Sequence, residues 1–155
     1  MPDFFHAQDA ISGKEGRSYT IIDGQVEEMF YCKNIQIDAE FDEAEFKSFG
    51  HRGTQTKITG WKGTGSLDIY YATSIFRKIA LRYIKTGIVT YFDIQVVNDD
   101  PSSSIGKQTV IIRNVTLSKV TMAKLDLDSE FLDESMDFKY SDIDILDEFG
   151  KPVLG

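Results

Sequence analysis

Two histidines, one cysteine and scattered carboxylates are the residues of this chain with chemistry for metal binding, nucleophilic attack or proton transfer. His6 and His51 each lack a second ligand at metal-binding spacing. Cys32 follows Tyr31 at the end of an expected hairpin, where a thiol more often fills a small core space than attacks a substrate. Gly60-Trp-Lys-Gly-Thr-Gly-Ser66 has the glycine density of a phosphate loop. Its lysine precedes the last glycine, however, and a strand follows where a helix is needed, so the segment reads as a turn. Asp126-Leu-Asp128-Ser-Glu130 begins like a calcium loop, yet its sixth position is Phe131 and its twelfth Asp137, where glycine and glutamate are required. Asn114-Val-Thr116 is a glycosylation sequon of little meaning in a cytoplasmic chain. No motif promotes any carboxylate pair to acid–base work. The reading is of a protein with no catalytic residues, no metal and no cofactor. It is not an enzyme.

The elements that would hold these residues are mostly strands. Tyr19–Tyr31 reads as a hairpin about Asp23-Gly24, a favoured pair for a type I′ turn. From Asn34 to Asp42 the alternation is strict: Ile35, Ile37, Ala39 and Phe41 share one face, and Asn34, Gln36, Asp38, Glu40 and Asp42 the other. Residues 46–67 contain no Asp or Glu and many glycines, and 43–60 reads as a long loop before a strand at about Ser66–Tyr71. One helix is expected over 73–86, capped by Thr73 or Ser74 and stopped by Gly87. Its apolar face is Ile75, Phe76, Ile79, Ala80, Tyr83 and Ile84, opposite Arg77, Lys78, Arg82 and Lys85. Strands follow at about 88–98 and 108–118, then an ambiguous 119–130, then a last strand at about 131–146 with Met136, Phe138 and Tyr140 on one side. The first eighteen residues look like an arm that orders only against something else. The expected fold is mainly β, a barrel or sandwich of about six or seven strands with one flanking α-helix.

Composition agrees with a single domain over residues 1–155. The chain has 155 residues, 41% hydrophobic and 27% charged, with eleven Phe and seven Tyr. A formal net charge of −8 excludes a protein that grips the phosphate backbone, although not one that surrounds nucleic acid without holding it. A lone cysteine fits a reducing site of synthesis. The N-terminus does not read as a signal peptide, and no apolar run is long enough to span a membrane. The charge is also segregated. Acids gather at 126–148, against Lys139 alone; bases gather in the glycine-rich loop. Such a chain can meet copies of itself, basic loop against acidic surface, and repetition of that contact builds rings or filaments.

Thr20-Ile-Ile-Asp-Gly-Gln-Val26, the run through Phe41, and Gly60-Trp-Lys-Gly-Thr-Gly-Ser-Leu-Asp-Ile-Tyr-Tyr71 leading into one helix resemble the tail tube protein of contractile-tailed bacteriophages. The closest kind is that of PBSX-type defective prophages, and the resemblance covers about residues 5–150. It implies a fold shared with the haemolysin-coregulated protein of type VI secretion, and hexameric rings stacked into a tube. It implies as partners a surrounding tail sheath protein, a tape measure protein and baseplate or initiator proteins. DNA would pass through the lumen without specific binding, no membrane would be involved, and assembly would occur in the bacterial host cytoplasm.

The resemblance further implies that the N-terminal arm (1–18) and the long loop (43–60) make ring-to-ring contacts, with Lys47, His51, Arg52 and Lys57 as the candidates. Asp38 and Glu40, with Asp142 and Asp144, are candidates to face the lumen; alternation leaves open whether their face is luminal or external. Alternatives are the tube of a phage-derived bacteriocin or of a type VI secretion-like system and, from another class, a small ligand-binding or enzymatic β-barrel.

Overall fold

Strand-forming sequence and two short turns organise the chain into eight strands and one helix, in a computed structural model that describes residues 16–29 and 31–150 together with Ala7. Most of the expected N-terminal arm therefore lies outside the described residues. The elements are β1 (Gly16–Ile22), β2 (Gln25–Glu28), β3 (Cys32–Phe46), β4 (Gln55–Tyr70), α1 (Ile75–Thr86), β5 (Phe92–Asp99), β6 (Lys107–Lys119), β7 (Asp133–Tyr140) and β8 (Asp142–Asp147). β1 and β2 turn at Asp23 and Gly24, with φ of 52° and 79°, the positive pair that a type I′ turn demands.

All pairing is antiparallel. The first sheet runs β2-β1-β5-β6 with β8 on the far side of β6; the second runs β3-β4-β7 and ends on the last residues of β6. β6 thus belongs to both. Its residues through Val115 pair with β5, and Thr116–Lys119 pair with β7. The turning point is Asn114, at φ 57°. Its backbone N–H donates to Asp93 Oδ1 at 3.3 Å and its side-chain amide to Ser141 Oγ at 3.0 Å. Asn tolerates this left-handed backbone better than most residues. The sequon asparagine is a corner of the fold.

Inward faces of both sheets meet in one core. Leu67, Ile69, Met136, Phe138 and Tyr140 come from the second sheet, Phe92, Ile94, Ile112 and Val115 from the first. Phe76 of α1 closes it against Phe92, with ring centroids 6.1 Å apart. Each such buried side chain stabilises the fold by about 1.5–3 kcal/mol. Gly87, at φ 75°, caps α1 with its N–H on the Tyr83 carbonyl, as expected. Ser74 takes the N-cap position without a side-chain bond there.

Four expectations change. The loop over 43–60 is only 47–54, because β3 and β4 continue as a long paired hairpin, and β4 begins eleven residues before the expected Ser66. The glycine-rich 60–66 is therefore strand and not turn. The strand expected from about 88 begins at Phe92. The last strand breaks at Ser141, where the chain leaves the Thr116–Lys119 end of β6 for its Thr109–Arg113 stretch; that break is why eight strands form.

Tyr31 gives the fold an alkaline limit. Its hydroxyl is buried without a partner among the described residues. Burial, with Glu27 and Cys32 nearby, pushes its pKa from 10.0 up to about 12. Stability from the protonated phenol is complete below the unfolded-state pKa of 10.0 and is lost as pH rises through about 12. Denaturant midpoints across this window should fall more steeply for the native chain than for Tyr31→Phe; identical slopes would exclude Tyr31 as the cause.

Candidate assembly surfaces

The second sheet has a dry side and a wet side. Opposite its core face, β3 presents Asn34, Gln36, Asp38, Glu40 and Asp42, in register with Asp68, Ser66, Thr64, Lys62 and Gly60 of β4. β7 adds Ser135, Asp137 and Lys139, and β6 adds Thr116 and Lys119. Hardly an apolar side chain interrupts this face, and carboxylates outnumber lysines on it. A sheet wet on one side is ordinary; one whose wet side runs the length of four strands is suited to line an aqueous space.

Both sides of that sheet are also open. Among the described residues the outer edge of β3 pairs with nothing, and Thr116–Lys119 of β6 lie beyond the reach of β5. Exposed edges of this length invite another strand.

Packing under the sheet explains the glycines of 60–66. A Cβ on Gly65 would sit 2.4 Å from the Phe138 ring and 2.7 Å from the Gln36 carbonyl; one on Gly63 would sit 2.5 Å from the Tyr140 ring. These two positions are slots that admit aromatic rings from β7. Tyr140 then spans β4 and donates its hydroxyl to the Asp38 carbonyl at 2.8 Å. The ring that holds β3 in place thus lies directly beneath Asp38.

Past the core, β3 and β4 form a projecting arm. A β-bulge at Thr59, whose Oγ1 donates to the Asp42 carbonyl at 3.3 Å, marks where it leaves the body. Phe41, Trp61 and Ile58 lie on the core side of this arm yet are exposed. Lys47, His51 and Arg52 occupy the connecting loop, and Lys57 lies on β4 opposite Ala44. All four are exposed, so the structure gathers them at one end of the molecule.

The other four sequence candidates do not form one group. Asp38 and Glu40 share the wet face of the second sheet, whereas Asp142 and Asp144 lie on β8 in the first sheet. Both of the latter flank Arg113: Asp144 accepts a hydrogen bond from its guanidinium, and Asp142 lies 3.6 Å from it. These acids raise the Arg113 pKa above its usual value, Asp144 most.

Sequence reasoning missed one charged pair entirely. Arg77, assigned above to the side of α1 opposite its apolar face, is only 13% exposed, and Glu134, one of the acids gathered at 126–148, is 1% exposed. Arg77 binds the Glu134 carboxylate and the Thr73 carbonyl, and its guanidinium stacks 4.5 Å from the Tyr71 ring centroid. The pair fastens α1 to β7. The alternation of β7, with Glu134 in phase with Met136, Phe138 and Tyr140, was the available signal. Cys32 is half-buried, and burial pushes its thiol pKa up, which disfavours the nucleophilic thiolate.

Among the described residues, a wet sheet face with two open edges, no assembled catalytic group and a projecting arm describe a building block. Residues 3–147 match the family model described as phage tail tube protein. The chain belongs to the phage tail tube protein family. Its role is that of a structural tube subunit and not of an enzyme. Over 139 residues it is 40% identical to the phage-like element PBSX protein XkdM of Bacillus subtilis (strain 168), spanning 90% of this chain and 92% of that one. Protein YqbM of the same strain matches with the same figures.

Solved structures share the tube fold at low identity. One is the sheath/tube terminator of an extracellular contractile injection system, PVC (TM-score 0.71, 11% identical, 92% of this chain and 100% of that one). Another is the SPP1 tail tube (TM-score 0.63, 11% identical, 93% of this chain and 81% of that one). A mainly β subunit with one helix is common to this tail tube protein and those structures.

Proposed function

We propose that copies of this tail tube protein close edge to edge into hexameric rings, which stack as the inner tube of a contractile tail. The observation that carries this reading is the second sheet: polar along one whole face and open at both edges. The β3 edge of one copy pairs with the Thr116–Lys119 edge of the next, so that each copy contributes a four-stranded piece of wall. A chain in the 6-fold symmetrised structure of the anti-feeding prophage baseplate has the same fold, which supports the hexameric count.

In this arrangement Asp38 and Glu40 face the bore, while Asp142 and Asp144, on the first sheet, stay outside it. A wall with excess carboxylates repels a duplex instead of gripping it, which lets DNA slide. The arm tip, with Lys47, His51, Arg52 and Lys57, reaches an acidic surface of the adjacent ring, and Phe41, Ile58 and Trp61 become covered there. A sheath protein surrounds the tube, a tape measure protein passes within it, and baseplate proteins initiate it. Assembly takes place in the bacterial host cytoplasm.

Negative-stain microscopy of the concentrated protein tests this. Wild-type chain forms tubes or stacked rings. Arg52→Glu with Lys57→Glu, both at exposed positions, reduces tube formation at least about tenfold at low salt while circular dichroism stays unchanged. Undiminished tubes from that double variant would remove the basic tip from the mechanism.

A further inference from the structure

β5 and β6 part after the Phe92–Val115 pair, and a groove of about 390 Å³ opens where they separate. One wall is Thr116–Lys119 of β6, all four residues of it; the other is the segment 89–91, and Tyr83 and Ile84 of α1 supply an apolar floor. Side chains on a strand alternate, so four consecutive residues line one cavity only along their shared backbone edge. The groove is therefore the open flank of β6 itself. Tyr83 is 57% and Ile84 64% exposed, although helical spacing puts both in line with the buried Phe76. Uncovered apolar surface thus lies beside an unpaired strand edge.

An occupant of such a groove has two demands to meet. It must offer backbone donors and acceptors to 116–119, and apolar side chains to α1. The β3 strand meets both. A Cβ on Gly65 would lie 2.7 Å from the Gln36 carbonyl, so Gln36 turns that carbonyl toward β4. In an antiparallel pair each residue turns its N–H and C=O to one side, and successive residues turn to opposite sides. Register is unbroken from Asn34 to Asp42, so Ile35, Ile37 and Ala39 turn their backbone groups to the open edge. All three side chains lie on the core side of the sheet. Ile35 and Ile37 are only partly buried there, and Ala39 is exposed.

We propose that β3 of a neighbouring copy seats in this groove, its edge bonded to Thr116–Lys119 and its Ile35, Ile37 and Ala39 laid against Tyr83 and Ile84. The inference rests on the edge-to-edge reading above and extends it to the helix. Each joint between copies is then a shared apolar core as well as a strand pair. Continuity selects the occupant: the edge that the wall requires to be paired is itself one side of the groove. Direction agrees as well. β3, β4, β7 and β6 alternate along the sheet, so copies related by rotation about a tube axis bring β3 antiparallel to the neighbour's β6.

Light scattering of single and mixed variants, with microscopy of the same samples, tests it. Ile84→Lys sets an unpaired charge in the floor and raises the concentration needed for assembly at least about tenfold. Leu81→Lys, on the same helix but outside the groove, assembles as the wild type does. Ala39→Lys blocks the other half of the joint to the same extent. All three positions are exposed, so circular dichroism stays unchanged. Mixed in equal amounts, Ile84→Lys and Ala39→Lys form dimers and nothing larger, because the intact β3 of one enters the intact groove of the other. Ile84→Lys that assembles as readily as Leu81→Lys overturns the groove contact and leaves the tube reading intact. A mixture that stays monomeric overturns β3 as the occupant. Dimers from the mixture, with open chains instead of tubes from the wild type, support the contact and count against the tube reading. Wild-type protein that stays monomeric overturns both.

Discussion

Gly65→Ala lowers the free energy of unfolding by about 3 kcal/mol, the upper end of what an overpacked core costs. The added methyl would meet the Phe138 ring at 2.4 Å and the Gln36 carbonyl at 2.7 Å. A ring can rotate or shift; the carbonyl cannot, because Gln36 is paired with β4 in the same register. Strand separation or displacement of Phe138 must follow, and both spoil the second sheet. Gly60→Ala is the matched control. Its nearest neighbour, Asp42 Oδ2, is 3.6 Å away, so its effect stays within about 0.5 kcal/mol. Combining Gly65→Ala with Phe138→Leu recovers part of the loss by freeing space for the methyl. Urea denaturation of the four proteins measures this. Equal midpoints for Gly60→Ala and Gly65→Ala would mean that the slot does not exist.

Arg77→Ala carries the second large effect, a loss of about 3–5 kcal/mol. It leaves the Glu134 carboxylate, 1% exposed, without its cation, and Glu134 Oε1 already lacks a partner. The stack on Tyr71 and the bond to the Thr73 carbonyl go with it, so α1 loses its fastening to β7. Arg77→Met with Glu134→Leu removes both charges together and restores stability to near the native value, because a buried ion pair stabilises little more than apolar residues of similar size. A double variant as unstable as Arg77→Ala would show that packing of the arginine, and not charge pairing, holds the helix.

These two sites also mark where the sequence is legible and where it stops being so. Local patterns were sufficient for the Asp23-Gly24 turn, the alternation of β3 and β7, and the Gly87 stop, because each depends on neighbours within a few residues. Gly63 and Gly65 looked like a turn because their partners, Tyr140 and Phe138, lie in a distant strand. Arg77, opposite the apolar face of α1, gave no sign of a buried partner for the same reason: Glu134 is 57 positions away. The break at Ser141 follows from the bend of β6 at Asn114, which no periodicity in either segment announces. For the assembly surfaces, alternation showed that Asp38 and Glu40 share a face and segregated charge showed a basic tip. Which sheet carries each acid, and which strand edges stay open, depend on non-local pairing.

Helical reconstruction of an assembled tube bears most directly on the account. It predicts that β3 of one subunit pairs with Thr116–Lys119 of its neighbour and that Asp38 and Glu40 project into the bore. Asp38 on the outer surface, or neighbouring subunits joined without strand pairing, would contradict it.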